Sequence, residues 1–134
     1  MAKSFDNNVF DNGLNYVVNN VTKMTLTKGI PASFTDANNL ASDTTPGIKV
    51  AEVTMAPGDF TVQDAAAGGR ECVVAAKSGV TALDSTTTED LHVTLLDMTN
   101  SLIVVLTDEI TNQAITSGNT INFPSFTFGM GDPT

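Results

Sequence analysis

The last third of the chain is built from apolar and alternating runs of strand length. Residues 91–96, 102–106 and 113–128 form these runs, and Asp, Asn, Ser and Gly separate them. Such spacing predicts antiparallel strands joined by turns. We expect residues 91–96 and 102–106 to pair as a hairpin. The second run is apolar on both faces, so we predict that it lies in the centre of a sheet with both faces covered.

The final run changes its alternation in the middle. Ile121 and Phe123 share one parity, whereas Phe126 and Phe128 share the other. A slip of one residue would place the rings on opposite faces of a sheet. A β-bulge at residues 124–125 would return all three phenylalanines to one face, and we predict such a bulge. The proline there also favours a position at the edge of a sheet.

Residues 6–20 carry the strongest helical pattern. Asp6 or Asn7 could cap the helix, and its apolar residues recur at helical spacing as one stripe: Phe10, Leu14, Val17, Val18 and Val21. The stripe could face the core of its own domain or a neighbouring subunit, and we favour the first. A single helical turn is predicted within residues 34–40, capped by Thr35 or Asp36.

Shorter strands precede the last third. We predict strands at residues 21–28, 48–56, 60–63, 70–77 and 80–83, with a turn at residues 57–59 and a hairpin loop at residues 64–69. The whole chain, residues 1–134, is therefore expected to form a single all-β domain with one N-terminal helix. Eight or nine strands would make an antiparallel two-sheet sandwich or a partly closed, jelly-roll-like barrel.

The charge of the chain limits the classes of partner that we expect it to bind. It has 15 acidic and 6 basic side chains, a formal net charge of −9 at pH 7. Nucleic acids and anionic membrane surfaces are bound through clustered Lys and Arg, so we expect neither as a partner. The charge fits either high solubility or docking on a basic protein surface. We also expect no membrane span and no secretory signal, because no apolar stretch is long enough.

Groups that could carry chemistry are few and scattered. The only cysteine, Cys72, lies in a strand-like run with no basic neighbour, so we expect a buried, inert thiol. The only histidine, His92, is expected on a polar strand face or in a hydrogen bond, since no triad motif surrounds it.

Neither of two further patterns matches a known site. The acidic residues 84, 89, 90 and 97 lack the spacing of a calcium loop. Gly68-Gly69-Arg70 lacks the lysine and the hydroxyl of a phosphate loop. We therefore predict no catalytic, cofactor-binding or metal-binding residues, no cofactor and no enzymatic activity.

Seven short motifs, in this order, resemble those of a family of small structural proteins of tailed bacteriophage virions. They lie at residues 8–16 (NVFDNGLNY), 23–26 (KMTL), 31–38, 58–60, 69–70, 113–123 and 132–133. The resemblance extends over nearly the full length and involves turns and apolar positions rather than chemical groups. It implies a virion component without enzymatic activity.

Within that family, the size and β-rich pattern of the chain are similar to those of capsid decoration, or cement, proteins. The resemblance implies binding to the major capsid protein and to further copies of itself, as a homodimer or homotrimer. It also implies a place on the capsid surface after synthesis in the cytoplasm of a bacterial host. A protein of the neck, tail or fibre remains an alternative. A carbohydrate- or host-surface-binding β-module is less favoured, because the chain has one Tyr and no Trp.

Three segments are candidates for contacts with neighbouring subunits. They are the N-terminal arm (residues 1–8), the loop of residues 64–70 and the tail (residues 129–134). Within the arm, an isolated phenylalanine could anchor in a neighbour's pocket. The candidate interface residues are Phe5, Asp64, Gly68, Gly69, Arg70, Met130 and Asp132.

Overall fold

A computed structural model describes residues 5–108 and 113–131 of the chain. Helix α1 begins the described chain, and nine strands and a short helix α2 follow within it. The elements are α1 (Asn7–Asn20), β1 (Lys23–Thr27), α2 (Phe34–Asn38), β2 (Lys49–Thr54), a 3-10 turn (Pro57–Asp59), β3 (Phe60–Asp64), β4 (Arg70–Val74), β5 (Lys77–Thr81), β6 (His92–Asp97), β7 (Leu102–Asp108), β8 (Thr120–Phe123) and β9 (Phe126–Met130). The predicted all-β fold with an N-terminal helix is confirmed.

The strands form three antiparallel sheets in a sandwich-like arrangement. The largest has the order β2-β1-β6-β7, the second has the order β3-β4-β9, and β5 pairs with β8. Their inner faces enclose one hydrophobic core, to which strands of all three sheets contribute. Burial of this shared apolar surface holds the layers together.

The pairing of β1 with β6 lies in the middle of the largest sheet. Met24 is paired with Leu95 and Leu26 with Val93, and all four side chains point into the core. On the opposite face, the hydroxyls of Thr25 and Thr94 hydrogen-bond to each other and are fully buried. Helix α2 packs against β1, β2 and β7. The sheet is therefore covered on both faces near its centre.

The prediction that residues 102–106 form a central strand is wrong. Strand β7 is at the edge of its sheet, and β6 occupies the inner position. Leu102 and Leu106 of β7 are 47% and 44% exposed, whereas all six residues of β6 are buried. The polar residues of β6 can be buried because their side chains are hydrogen-bonded, as with Thr94 and Thr25. Hydropathy alone therefore ranked the two strands in the wrong order.

The predicted bulge at residues 124–125 is also wrong, because the chain changes sheets there. Strand β8 ends at Phe123 and pairs with β5, whereas β9 begins at Phe126 and pairs with β4. The Ser125 hydroxyl donates a hydrogen bond to the carbonyl oxygen of Val74 at 2.7 Å, which fixes the crossing. Phe123 lies in the core, and Phe126 and Phe128 pack against it. The three rings thus share one core, but through a change of sheet rather than through a bulge.

Helix α1 agrees with its sequence pattern. The Asp6 carboxylate accepts a hydrogen bond from the backbone N–H of Asn8 at 2.9 Å and caps the helix. Leu14 and Val17 lie in the core cluster, so the apolar stripe faces its own domain, as we favoured. Helix α2 differs in one detail, because its cap is Ser33 rather than Thr35 or Asp36.

The strand predicted at residues 70–77 is interrupted. Strand β4 ends at Val74, and β5 begins at Lys77 in another sheet.

Replacing Leu95 by Ala should remove buried contacts at the centre of the core. We expect the free energy of unfolding to fall by about 2–5 kcal/mol, the range for Leu-to-Ala changes in cores. The matched control is Leu83→Ala, since Leu83 is 42% exposed; we expect a change of about 0.5 kcal/mol or less. Urea unfolding followed by circular dichroism measures both. Equal losses in the two variants would contradict the central place of β6.

Candidate interaction surfaces

The structure brings most of the candidate interface residues together around the first half of α1. Phe5 lies just before the helix, and its ring meets that of Phe10 edge to face with centroids 5.6 Å apart. Phe5 remains 51% exposed, whereas Phe10 is buried. The arm phenylalanine is thus partly held by its own chain and offers the rest of its ring to the surface.

Arg70 joins three elements at this end of the molecule. Its Nε donates to Asp11 of α1 at 2.7 Å, and its Nη1 donates to Asp64 of β3 at 2.9 Å. The hydrogen bonds to Asp11 and then to Asp64 raise the pKa of the guanidinium. Arg70 therefore stabilises the junction of α1 with the β3–β4 hairpin.

The hairpin loop between β3 and β4 depends on two glycines. Gly68 and Gly69 have φ angles of +94° and +81°, which L residues rarely adopt. A Cβ on Gly69 would collide with the backbone carbonyl oxygen of Met130. The loop therefore packs directly against the end of β9.

Met130 completes this surface. Its side chain is 42% exposed, and its sulfur lies near Gly13, since a Cβ built there would be 3.0 Å from it. Phe5 thus meets α1 at Phe10, while Arg70 and Met130 meet it at Asp11 and Gly13. Asp64 and Gly69 contact Arg70 and Met130, Gly68 lies in the same loop, and Asp132 lies outside the described residues.

The arm and the tail are shorter than expected. Helix α1 begins at Asn7 and β9 ends at Met130, so residues 7–8 and 129–130 belong to the fold. Gly129 lies in register with Glu71 of β4, which gives this part of the tail a partner within the chain.

Sequence reasoning missed a second surface, the outer edge of β7. We define the β7 edge by residues 102–106, of which Leu102 and Leu106 are exposed and the middle three are partly buried. Within the described chain, β7 pairs with β6 alone, and no backbone hydrogen bond reaches its other side. The signal was present in the apolar run itself, which we interpreted as a strand covered by its own domain.

The described surface carries negative charge without free positive charge. Each described lysine and arginine forms an ion pair with a carboxylate: Lys23 and Lys49 with Glu52, Lys28 with Asp84, Lys77 with Asp59, and Arg70 with Asp11 and Asp64. Five described carboxylates form no ion pair with a lysine or arginine, namely those of Asp6, Asp36, Asp43, Glu71 and Asp90. The described part of the surface therefore carries an excess of unpaired carboxylates.

A buried carboxylate connects α1 to the turn between β6 and β7. Asp97 is fully buried and accepts hydrogen bonds from the Tyr16 hydroxyl and the Asn100 side chain, both at 2.8 Å. The backbone N–H groups of Thr99 and Asn100 donate to its other oxygen. The hydrogen bonds from the side chains of Asn100 and Tyr16 lower the pKa of Asp97, and the bond to Asp97 raises the pKa of Tyr16.

The two residue types most often used in catalysis occupy structural positions. Cys72 is fully buried, and burial raises the pKa of its thiol, so the expected inert thiol is confirmed. His92 is buried, and its Nδ1 lies 3.1 Å from the carbonyl oxygen of Asp90, so the expected hydrogen bond is confirmed.

Other kinds of site are absent or weakly developed among the described residues. They contain no group of three or more His, Cys, Asp or Glu side chains placed to hold a metal ion. None of the helices in the described ranges is long and apolar enough to cross a membrane. A cavity of about 330 Å³ beside β8 is lined by residues without ionisable side chains: Gln113, Ala114, Ile115, Thr116, Asn119, Thr120, Ile121 and Asn122.

Comparison with protein-family models, with curated proteins and with solved structures finds no match to this chain.

Three glycine-to-alanine variants should separate close packing from backbone strain. Gly69→Ala combines a positive φ with the contact to Met130, Gly79→Ala has a positive φ in open space, and Gly58→Ala has neither. We expect Gly79→Ala to cost about 1–2 kcal/mol and Gly58→Ala to stay within about 1 kcal/mol of the parent protein. Gly69→Ala should cost more than either. Urea unfolding gives the order, and a mild effect at Gly69 would contradict the contact.

The stability of the protein should depend on the ionisation of Asp97. Because its folded pKa is lowered, the stabilisation is present above the unfolded pKa of about 4 and is lost as the pH falls through the folded value. Between pH 7 and pH 2, the parent protein should lose more free energy of unfolding than Asp97→Asn does. Urea titrations at each pH measure the difference, and parallel pH profiles would refute the role given to Asp97.

Proposed function

We propose that the chain is a non-enzymatic structural protein of a virion, namely a capsid decoration protein that bridges subunits of the major capsid protein. The observation that carries the proposal is the β7 edge. A strand edge presents unpaired backbone groups to other chains, and within the described chain β7 pairs with β6 alone while its Leu102 and Leu106 are exposed.

An open apolar edge is a liability for a protein that stays alone. Unpaired strand edges invite association with other chains, so soluble proteins usually block them with charge, proline or a covering segment. Leu102 and Leu106 instead leave β7 apolar and exposed. This arrangement suits a protein whose working state is an assembly, where a neighbour covers the edge.

The charge of the chain favours association with one class of partner. With all described cations already paired, the remaining carboxylates favour contact with a basic surface. Burial of roughly 800 Å² on each partner would be enough for specific binding. Many copies on one shell would turn a modest affinity per contact into strong reinforcement. Association of the protein with itself, as a dimer or trimer, would add further contacts.

The virion setting comes from the sequence resemblance described above, and the surfaces are compatible with it. A neck, tail or fibre protein could use the same surfaces at a single vertex. Binding of carbohydrate usually employs exposed aromatic rings, and the hydroxyl of the one tyrosine, Tyr16, is already bonded to Asp97.

The number of copies per purified particle tests the proposal. Quantitative mass spectrometry of purified virions, scaled to the major capsid protein, should find hundreds of copies if the protein decorates the shell. About a dozen copies would indicate the neck or tail instead. Absence from particles would refute the virion proposal.

A further inference from the structure

We propose that the β7 edge binds an extended segment of a partner protein as an added antiparallel strand. The segment would carry apolar side chains and a lysine or arginine at its amino end. This inference rests on the proposed function, since it names the contact by which the protein would dock in an assembly.

The two edges of the largest sheet differ in a way that points to β7. At the β2 edge, the N–H groups of Leu83 and Asp84 donate to the carbonyl oxygen of Val50 at 2.7 and 3.2 Å. Leu40 also bridges to Lys49 on that side. The chain thus covers one edge itself, while the outer side of β7 has no backbone partner among the described residues.

The backbone groups on the outer side of β7 favour a partner segment in extended conformation. Its unpaired N–H and C=O groups would be satisfied in order by another strand, as in the recognition of peptides by sheet edges. Leu102 and Leu106 would bury their exposed sides against the added strand. A helix laid on the edge would cover the apolar side chains but leave the backbone groups unpaired.

Charge at one end of β7 defines the polarity of the occupant. Strand β7 ends at Asp108, which lies in register with His92 of β6. Asp90 lies beside His92 with its carboxylate exposed, and Glu89 precedes it. Asp90 forms no ion pair with a lysine or arginine of the described chain, whereas Glu89 already interacts with Lys28. A lysine or arginine at this end of an added strand would be attracted to the exposed carboxylate of Asp90.

The orientation follows from the strand pairing. All the strand pairs of the described sheets are antiparallel. Antiparallel pairing is also slightly more stable per residue than parallel pairing. In an antiparallel partner, the amino end lies beside Asp108. The basic residue is therefore expected at the amino end of the segment.

The same charges argue against a second copy as the occupant. Each described lysine and arginine is already bound to a carboxylate of its own chain, so a second copy offers no free cation from the described part. Two chains with net charges of −9 also repel each other. A different protein with a basic strand fits the edge better.

An irregularity in β7 would make the edge selective. Leu95 is paired with Val105 and Leu96 with Ile103, which leaves Val104 as an extra residue in β7. A bulge of this kind twists an edge strand and hinders unspecific pairing with other sheets. A partner strand must match this twist, which limits the proteins that can bind.

Peptide binding tests the inference directly. The probe is an end-capped peptide of alternating valine and threonine with one lysine at its amino end, titrated into the ¹⁵N-labelled full chain and followed by NMR. We expect saturable shifts at β7 residues. Moving the lysine to the carboxyl end, or replacing it by glutamate, should weaken binding at least about threefold. Absence of binding, or equal binding of all three peptides, would overturn the proposal.

Matched variants locate the contact. Leu106→Lys and Leu102→Lys place a charge on the edge, whereas Leu83→Lys changes a similarly exposed leucine elsewhere. Urea unfolding first identifies the variants that fold. We expect about tenfold weaker peptide binding for a folded β7 variant, equivalent to about 1.4 kcal/mol, and unchanged binding for Leu83→Lys. Equal affinities of the β7 and Leu83 variants would overturn the assignment to β7.

Rebinding to particles separates this inference from the proposed function. Virions from which the protein has been stripped are incubated with the parent chain, Leu106→Lys or Leu83→Lys. Rebinding of the parent and Leu83→Lys without Leu106→Lys would support both proposals. Rebinding of all three would overturn the docking edge and leave the decoration function standing. Failure of the parent chain to rebind, with peptide binding intact, would count against the decoration function and not against the edge.

Discussion

The antiparallel pairing of β1 with β6 is the constraint on which the rest of the fold depends. Both strands are buried on two faces, and their side chains divide into an apolar layer and a polar layer. Met24 and Leu95 lie in the core on one face of the sheet. On the other face, the hydroxyls of Thr25 and Thr94 hydrogen-bond to each other. The second sheet and α1 enclose the first layer, and α2 packs over the second face.

The sheet extends beyond this pair to β7, and the proposed function rests on the outer edge of that strand. Strand β7 continues the largest sheet, yet no described strand pairs with its outer side, and its Leu102 and Leu106 are exposed. In the same molecule, each described lysine and arginine forms an ion pair with a carboxylate of its own chain. Exposed apolar surface gives a reason to associate, and unpaired carboxylates select a basic partner. These two properties support a structural role in an assembly.

Much of the fold could be predicted from the sequence because local signals agreed with the final structure. The stripe beginning at Phe10 and the cap at Asp6 located α1, and the apolar runs located the β6–β7 hairpin. The order of strands in the sheet could not be predicted from hydropathy. Burial of Thr94 and Asp97 depends on hydrogen bonds with Thr25 and Tyr16, which lie 69 and 81 residues away in the sequence.

For the candidate surfaces too, the sequence could predict local contacts but not contacts between distant elements. Arg70 and Asp64 lie six residues apart across a hairpin, and their pairing could be predicted; the contribution of Asp11 from α1 could not. The change of sheets at residues 124–125 likewise depends on which strands are available to β8 and β9, namely β5 and β4. The β7 edge was misjudged because an apolar run indicates that cover is needed, but not whether the same chain supplies it.

Amide hydrogen exchange of β7, measured in the free protein and in purified particles that contain it, tests the central claim most directly. Amides on the open side of an edge strand exchange readily unless a partner strand binds them. The account predicts that amides within residues 102–106 become strongly protected in the particle, while those of the already buried β6 change little. Unchanged exchange of β7 in particles that retain the protein would contradict it.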